Sequence, residues 1–298
     1  MRLRKRHIAG IIPIAGREDK LDLPWPDCML PIADNLVAIE RAVLECAFAG
    51  CKTIWIVCND DISPVVKSRV GEYVYDPVYH YRKDPFPSES RRVIPIFYVP
   101  IHPKDLNKRD CLSWSILYGS ITAFKVGKTL SGWVAPHRYY VSFPYGIYEP
   151  SALRPLRDAI RKEEVTALSF AGQTAKDNCY LGFTFGKDEW TQMRRIIRSG
   201  TGAFTSNDMK DGIYPREKLP LEERYSARHF TLDKVLEPVK IDNIVEIESY
   251  HSIEDWDAYV EYMSSNKILK YRASYLTRGK KLSKMCIHSE EIHDTTKN

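Results

Sequence analysis

Apolar and polar positions alternate in blocks along this chain, and the blocks are most regular in the first sixty residues. A basic lead, Met1 to His7, gives way to a short unbroken apolar run, Ile8-Ala-Gly-Ile-Ile-Pro-Ile14, that stops at Ala15-Gly16. A run of that length bounded by small residues predicts a strand buried on both faces and entering a loop. The polar, proline-bearing stretch from Arg17 to Pro31 continues that loop. From Asn35 to Gly50 apolar residues recur at helical spacing, with a glycine at the end to stop the helix. Thr53-Ile-Trp-Ile-Val-Cys58 is a second β-rich run, stopped by Asn59-Asp-Asp61. Strand, helix, strand in this order is a βαβ unit and calls for a parallel pairing.

Further along, the periodicity predicts strands at Val93–Val99, Tyr139–Phe143, Thr166–Phe170, Tyr180–Phe185 and Ile244–Ile247. Helices are expected over Ser113–Lys125, Ser151–Glu164, Asp188–Ser199, Thr231–Leu236 and Ser252–Ser264. Residues 70–110 form an insertion rich in aromatics and prolines, and Thr201 to Tyr225 reads as a long polar loop. The expected fold is α/β, a mixed, mainly parallel sheet with helices on both faces. We place one domain over residues 1–264 and a basic C-terminal extension over 265–298. Between Lys267 and Lys284 that extension carries Lys and Arg but no acid, so it is a solvated tail or a docking segment.

Composition excludes more than it selects. Hydrophobic residues make up 44% and charged residues 28% of 298, and the net charge is +5. These are ordinary globular values that argue against disorder and collagen-like repeats. No apolar run is long enough to span a bilayer. The small positive excess permits nucleic-acid binding without calling for it. Seven cysteines without a C-x-x-C pair point to free thiols in a reducing compartment, with a cytoplasmic setting expected.

Three stretches carry a resemblance. They are Gly10-Ile-Ile-Pro-Ile-Ala-Gly-Arg17, Pro26-Asp-Cys-Met-Leu-Pro31, and Ile39-Glu-Arg-Ala-Val43 leading into Ala49-Gly-Cys-Lys-Thr-Ile-Trp-Ile-Val57. Together they resemble the sugar-1-phosphate nucleotidyltransferase family, of nucleotide-diphospho-sugar transferase fold, over roughly residues 8–263. Ser249-Tyr-His-Ser-Ile-Glu-Asp-Trp256 is a partial counterpart of that family's late signature. The resemblance implies nucleotidyl transfer from a nucleoside triphosphate to a sugar phosphate with Mg²⁺. It implies Ala15, Gly16, Arg17 and Trp114 at the nucleotide, Arg17 and Asp27 as catalytic residues, and Glu149 and Glu248 as metal ligands.

The chemistry behind such a site is charge neutralisation: backbone N–H groups and a cation cradle the phosphates, and two carboxylates hold the metal. The sequence departs from it in four places. The second loop glycine is missing, and Asp27 stands where the family has lysine. Pro144 and Ser249 stand where it has metal-binding aspartates. Two readings therefore follow. In one, divergent residues (Arg17, Asp27, Asp60, Asp61, Glu149, Glu248) carry the reaction. In the other, the fold persists without it, as a structural or interaction component of a larger assembly such as a virion, with protein partners at residues 70–110 and the basic tail.

The remaining candidates have plain alternatives. Asp60-Asp61 could hold a metal–nucleotide or cap the helix that follows. His251 reads as a surface or packing residue and not as a ligand. Trp133, His137 and Arg138 are substrate-side candidates at the central strand, and the aromatic–proline region from Tyr73 to Tyr98, with Arg82, Lys83, Arg91 and Arg92, could stack bases or a sugar ring, form a protein-contact surface, or simply pack onto the domain.

Overall fold

The computed structural model describes residues 7–17, 20–80, 93–106, 109–130, 135–200 and 230–265. Trp133, Arg82, Lys83, Arg91, Arg92, the 201–225 loop and the extension beyond Ser265 lie outside these. In chain order the strands are β1 Ile8–Pro13, β2 Pro31–Ala33, β3 Leu36–Val37, β4 Thr53–Cys58, β5 Tyr73–Tyr75, β6 Val93–Pro100, β7 Arg138–Val141, β8 Gly146–Ile147, β9 Thr166–Ser169, β10 Phe183–Phe185, β11 Asn243–Glu246 and β12 His251–Ser252. The longer helices are α1 Ala38–Ala49, α2 Ser63–Val70, α3 Leu112–Lys125, α4 Lys187–Gly200 and α5 Trp256–Ser264.

Eight strands form one sheet in the order β11-β9-β10-β7-β1-β4-β6-β5. β1 runs parallel to both β4 and β7, β4 runs parallel to β6, and β10 and β5 run against their neighbours. The sheet is thus mainly parallel, as the βαβ pattern requires. Both of its faces are covered. Ile8, Ile12, Ile54 and Ile56 pack into a core under α1, and Ala9, Ile11, Trp55 and Val57 into a second core under α3 and α4. Successive side chains of a strand point to opposite faces, so burial on both sides explains why β1 and β4 are apolar throughout.

α1 starts where the Glu40 carboxylate accepts a hydrogen bond from the Val37 N–H at 3.0 Å. It ends at Gly50, whose φ of 86° is the left-handed conformation that closes a helix. The chain grows outward from β1 through β4 to β6, then returns through α3 to β7 on the other side of β1. That reversal opens a crevice beyond the C-terminal ends of β1 and β7.

The segment 151–164 differs from expectation. It holds a short turn of helix at Pro150–Leu153 and another at Arg157–Ile160. Pro155 lies between them, and proline inside a helix removes a donor and clashes with the preceding turn. Arg157 instead turns inward and donates to Ala47 O at 2.6 Å, Phe48 O at 2.7 Å and Asp76 Oδ1 at 2.6 Å. It thereby satisfies the open carbonyl end of α1. The last helix also begins later than its pattern suggests, because Asp255 caps it by accepting from Ala258 N at 2.9 Å. The strand expected from Tyr180 starts only at Phe183, since the Tyr180 N–H donates to Tyr250 Oη at 3.0 Å.

Candidate functional site

A cleft of about 620 Å³ lies at that crevice, lined by Gly16 and Arg17, by Cys111 and Leu112, by Gln173 and residues 177–180, and by Tyr250, Ser252 and Glu254. Its position follows from how the loop after β1 is held. Ile14 N and Ala15 N both donate to Val57 O, at 2.9 and 3.1 Å, and Ala15 O accepts from Ser115 Oγ at 2.6 Å. Gly16 has φ of 79°, and a Cβ there would stand 2.5 Å from the Cys111 backbone. Only glycine combines that conformation with that approach. Gly16 therefore lines the cleft, whereas Ala15 does not reach it. Ala15 is buried, and its N–H is already bonded to β4.

Arg17 and Asp27 do come together, but with each other. Their side chains form an ion pair and are 6% and 12% exposed. Arg17 also donates to Glu254 O at 2.8 Å, and its guanidinium carbon lies 3.8 Å from the Tyr145 ring centroid. Tyr145 Oη donates to Asp27 Oδ1 at 3.2 Å. Burial acts to lower the Arg17 pKa, but Tyr145 and Asp27 outweigh it and hold the value above its ordinary one. The cation is thus permanent and already neutralised. Behind it, Tyr145 and Phe143 each pack against Tyr180, with centroids 5.4 and 5.7 Å away. Aromatic rings fill the region behind the ion pair.

A buried network fixes this floor. Glu45 and Arg41 of α1 are fully buried and paired at 2.9 Å. Glu45 also accepts from Tyr140 Oη, Ser142 Oγ and Tyr148 Oη, and Arg41 donates to Phe143 O at 2.5 Å. The chain on either side of Phe143 is tied down at several points. Sequence reasoning missed this cluster, because Glu45 and Arg41 sit at helix positions that read as solvated. The one signal available was their spacing of four within an otherwise apolar helix.

The metal candidates do not converge. Glu149 is exposed and accepts from Ser151 N at 3.3 Å as a helix cap. Glu248 is exposed, and neither it, Glu149, Pro144 nor Ser249 lines the cleft. Among the described residues no three His, Cys, Asp or Glu side chains gather in a way that could hold a metal ion. Asp61 Oδ1 accepts from the adjacent Ile62 N at 3.0 Å, no side chain caps the start of α2, and Asp60 does not line the cleft. His251 packs on Tyr262 with ring centroids 5.4 Å apart. His137 and Arg138 sit where β7 begins, at the opposite edge from the cleft, because β7 runs parallel to β1. Trp114 faces a different pocket, described below.

Several cleft residues were not foreseen. Lys20 Nζ lies 3.6 Å from Glu254 Oε1, and the Asp177 carboxylate accepts from Thr174 N at 2.8 Å. Gln173, Tyr250 and Ser252 also line the wall, and the buried Ser252 Oγ has no hydrogen-bond partner among the described residues. The six described cysteines are free. Burial pushes the Cys58 and Cys111 thiols up to about 11, which keeps both protonated and unreactive at neutral pH.

Sequence comparison finds no matching family model and no matching curated protein. Solved structures do match. A Bacillus anthracis protein described as a glucose-1-phosphate thymidylyltransferase, in complex with sucrose, aligns at 9% identity and a TM-score of 0.53, covering 91% of this chain and 98% of that one. Rv0371c of Mycobacterium tuberculosis H37Rv aligns at 12% identity and a TM-score of 0.48, covering 87% of this chain and 99% of that one. Its complex with manganese aligns at 11% identity and a TM-score of 0.44, with the same coverage. The chain has a nucleotide-diphospho-sugar transferase-like fold; identities this low show the fold and nothing finer. Among the described residues no helix is long and apolar enough to cross a membrane.

Proposed function

We propose that this chain uses the cleft at the sheet edge to bind an uncharged, hydroxyl-bearing small molecule of the saccharide class, and that it does not transfer nucleotidyl groups. The observation that carries the reading is the pairing of Arg17 with Asp27. Nucleotidyl transfer needs cationic charge facing the triphosphate. In this cleft Arg17 is neutralised by Asp27, Lys20 is matched by Glu254, and Asp177 adds a further negative charge. The wall instead offers what a neutral polyol needs: an amide at Gln173, a tyrosine ring at Tyr250, and the unpartnered Ser252 hydroxyl. A ligand hydroxyl would satisfy that buried group, whose isolation costs about 1–3 kcal/mol.

The reading implied by the resemblance is nucleotidyl transfer from a nucleoside triphosphate to a sugar phosphate with Mg²⁺. It would need Arg17 released from Asp27 and carboxylates brought in from outside the described cleft. The reading as a structural component rests on residues 70–110 and the basic tail, which lie partly or wholly outside the described residues.

Thermal unfolding with a panel of neutral saccharides, and with nucleoside triphosphates with and without Mg²⁺, separates these readings. A ligand at 100 times its dissociation constant adds about 2.7 kcal/mol to the folded state. Stabilisation by a saccharide that Ser252→Ala and Gln173→Ala reduce supports the proposal. A Mg²⁺-dependent triphosphate shift, or no shift with any saccharide, overturns it.

A further inference from the structure

α4 carries Arg194 and Arg198 four residues apart, and therefore on one helix face. They line a pocket of about 220 Å³ together with Arg109 and Trp114, which come from the segment leading into and starting α3. Three guanidinium groups from two separate elements thus meet in one concavity.

Their charge is not matched. Arg109 pairs with Asp105 at 3.3 Å, while Arg194 and Arg198 have no acidic partner among the described residues. Arg109 and Arg194 are each braced by an indole ring. The Arg109 guanidinium carbon is 4.5 Å from the Trp114 centroid, and that of Arg194 is 5.1 Å from the Trp190 centroid. Stacking of this kind holds a guanidinium in place without using its in-plane donors. Two further donors at the pocket, Trp114 Nε1 and Arg109 Nε, are buried and have no acceptor among the described residues. A solvated basic helix face has neither the concavity nor the buried open donors.

We propose that this pocket binds a phosphate dianion, either free or as the terminal group of a phosphomonoester. The guanidinium fork matches two phosphate oxygens at once. The volume falls below the roughly 300–1,000 Å³ of sites that enclose a drug-sized ligand. It suits the phosphate group, with any organic remainder left outside. Residues 109–114 also supply Cys111 and Leu112 to the larger cleft, so the two sites share one wall. The proposal does not depend on what occupies that cleft.

Calorimetric titration of the full chain at constant ionic strength tests the site, with inorganic phosphate, adenosine 5′-monophosphate and glucose 6-phosphate as probes and chloride as the control. The expected result is saturable binding of one phosphate group per chain, weakened about tenfold or more in the Arg194→Gln/Arg198→Gln double variant and unchanged in Ser252→Ala. Tighter binding of either monoester than of inorganic phosphate would identify an organic phosphate as the ligand. Inorganic phosphate binding as well as either monoester would identify the free ion. Heat that chloride reproduces, heat unaltered in the double variant, or no saturable heat would overturn the proposal. Circular dichroism of the double variant confirms that it is folded, and both arginines are exposed, so loss of binding cannot be ascribed to misfolding.

Discussion

Arg17 and Arg41 at the sheet edge, and Arg194 and Arg198 on α4, carry the same group in opposite circumstances. The first two are buried, and each faces a carboxylate and an aromatic ring: Asp27 and Tyr145 for Arg17, Glu45 and Tyr148 for Arg41. Their charge is used to assemble the floor of the cleft. The second two are exposed, with no acid against them among the described residues. A guanidinium that has its partner is part of the framework and is closed to ligands. One that lacks a partner costs little when solvated and stays open to an anion.

The largest break in that comparison is removal of Glu45. Glu45→Ala leaves Arg41 buried and unpaired, and should cost about 3–5 kcal/mol of stability. The midpoint of urea unfolding measures it, and a loss below about 1 kcal/mol would mean that water reaches Arg41. Next comes Asp27→Asn, expected to cost about 1–3 kcal/mol because a charge-assisted bond is lost near the surface of the cleft. The same change frees Arg17, so affinity for inorganic phosphate at the cleft should rise. A variant with unchanged affinity would show that Tyr145 and Glu254 alone keep Arg17 closed.

A loss of similar order is expected at alkaline pH. Cys58 and Cys111 have folded values raised to about 11 from an ordinary 9.0. Above pH 9 the unfolded chain releases protons that the folded chain retains, so unfolding is favoured progressively between pH 9 and 11. Below pH 9 this contribution is fully present. Thermal melts from pH 8 to 11 should show the decline, and Cys111→Ala should flatten part of it. The smallest effect belongs to Arg194→Gln and Arg198→Gln. Each should change stability by less than about 0.5 kcal/mol, and a greater loss would show that they do have structural partners.

Much of the fold was legible because burial on both faces leaves a direct trace. β1, α1 and β4 were readable from continuous apolar runs, helical spacing and a terminal glycine. Their parallel pairing then followed from the length of the crossover. The 151–164 helix was misread because helical spacing outweighed Pro155, and because the role of Arg157 at the end of α1 depends on a contact far away in sequence. Within the candidate site, Gly16 and Arg17 were legible from the loop after β1. Lys20, Gln173, Ser252 and Glu254 were not, since they come from three segments far apart in the chain and meet only in the fold.

The sequence by itself determined the β1–α1–β4 unit, that the sheet is mainly parallel, and that a loop with Gly16 and Arg17 stands at the end of the first strand. Those are local matters of periodicity and backbone freedom. Only the tertiary structure decided that Arg17 faces Asp27, that Glu149 and Glu248 lie outside the cleft, and that Arg109 meets Arg194 and Arg198. Electrostatic interaction depends on distance in space, and residues far apart in the chain acquire that distance only when the fold closes.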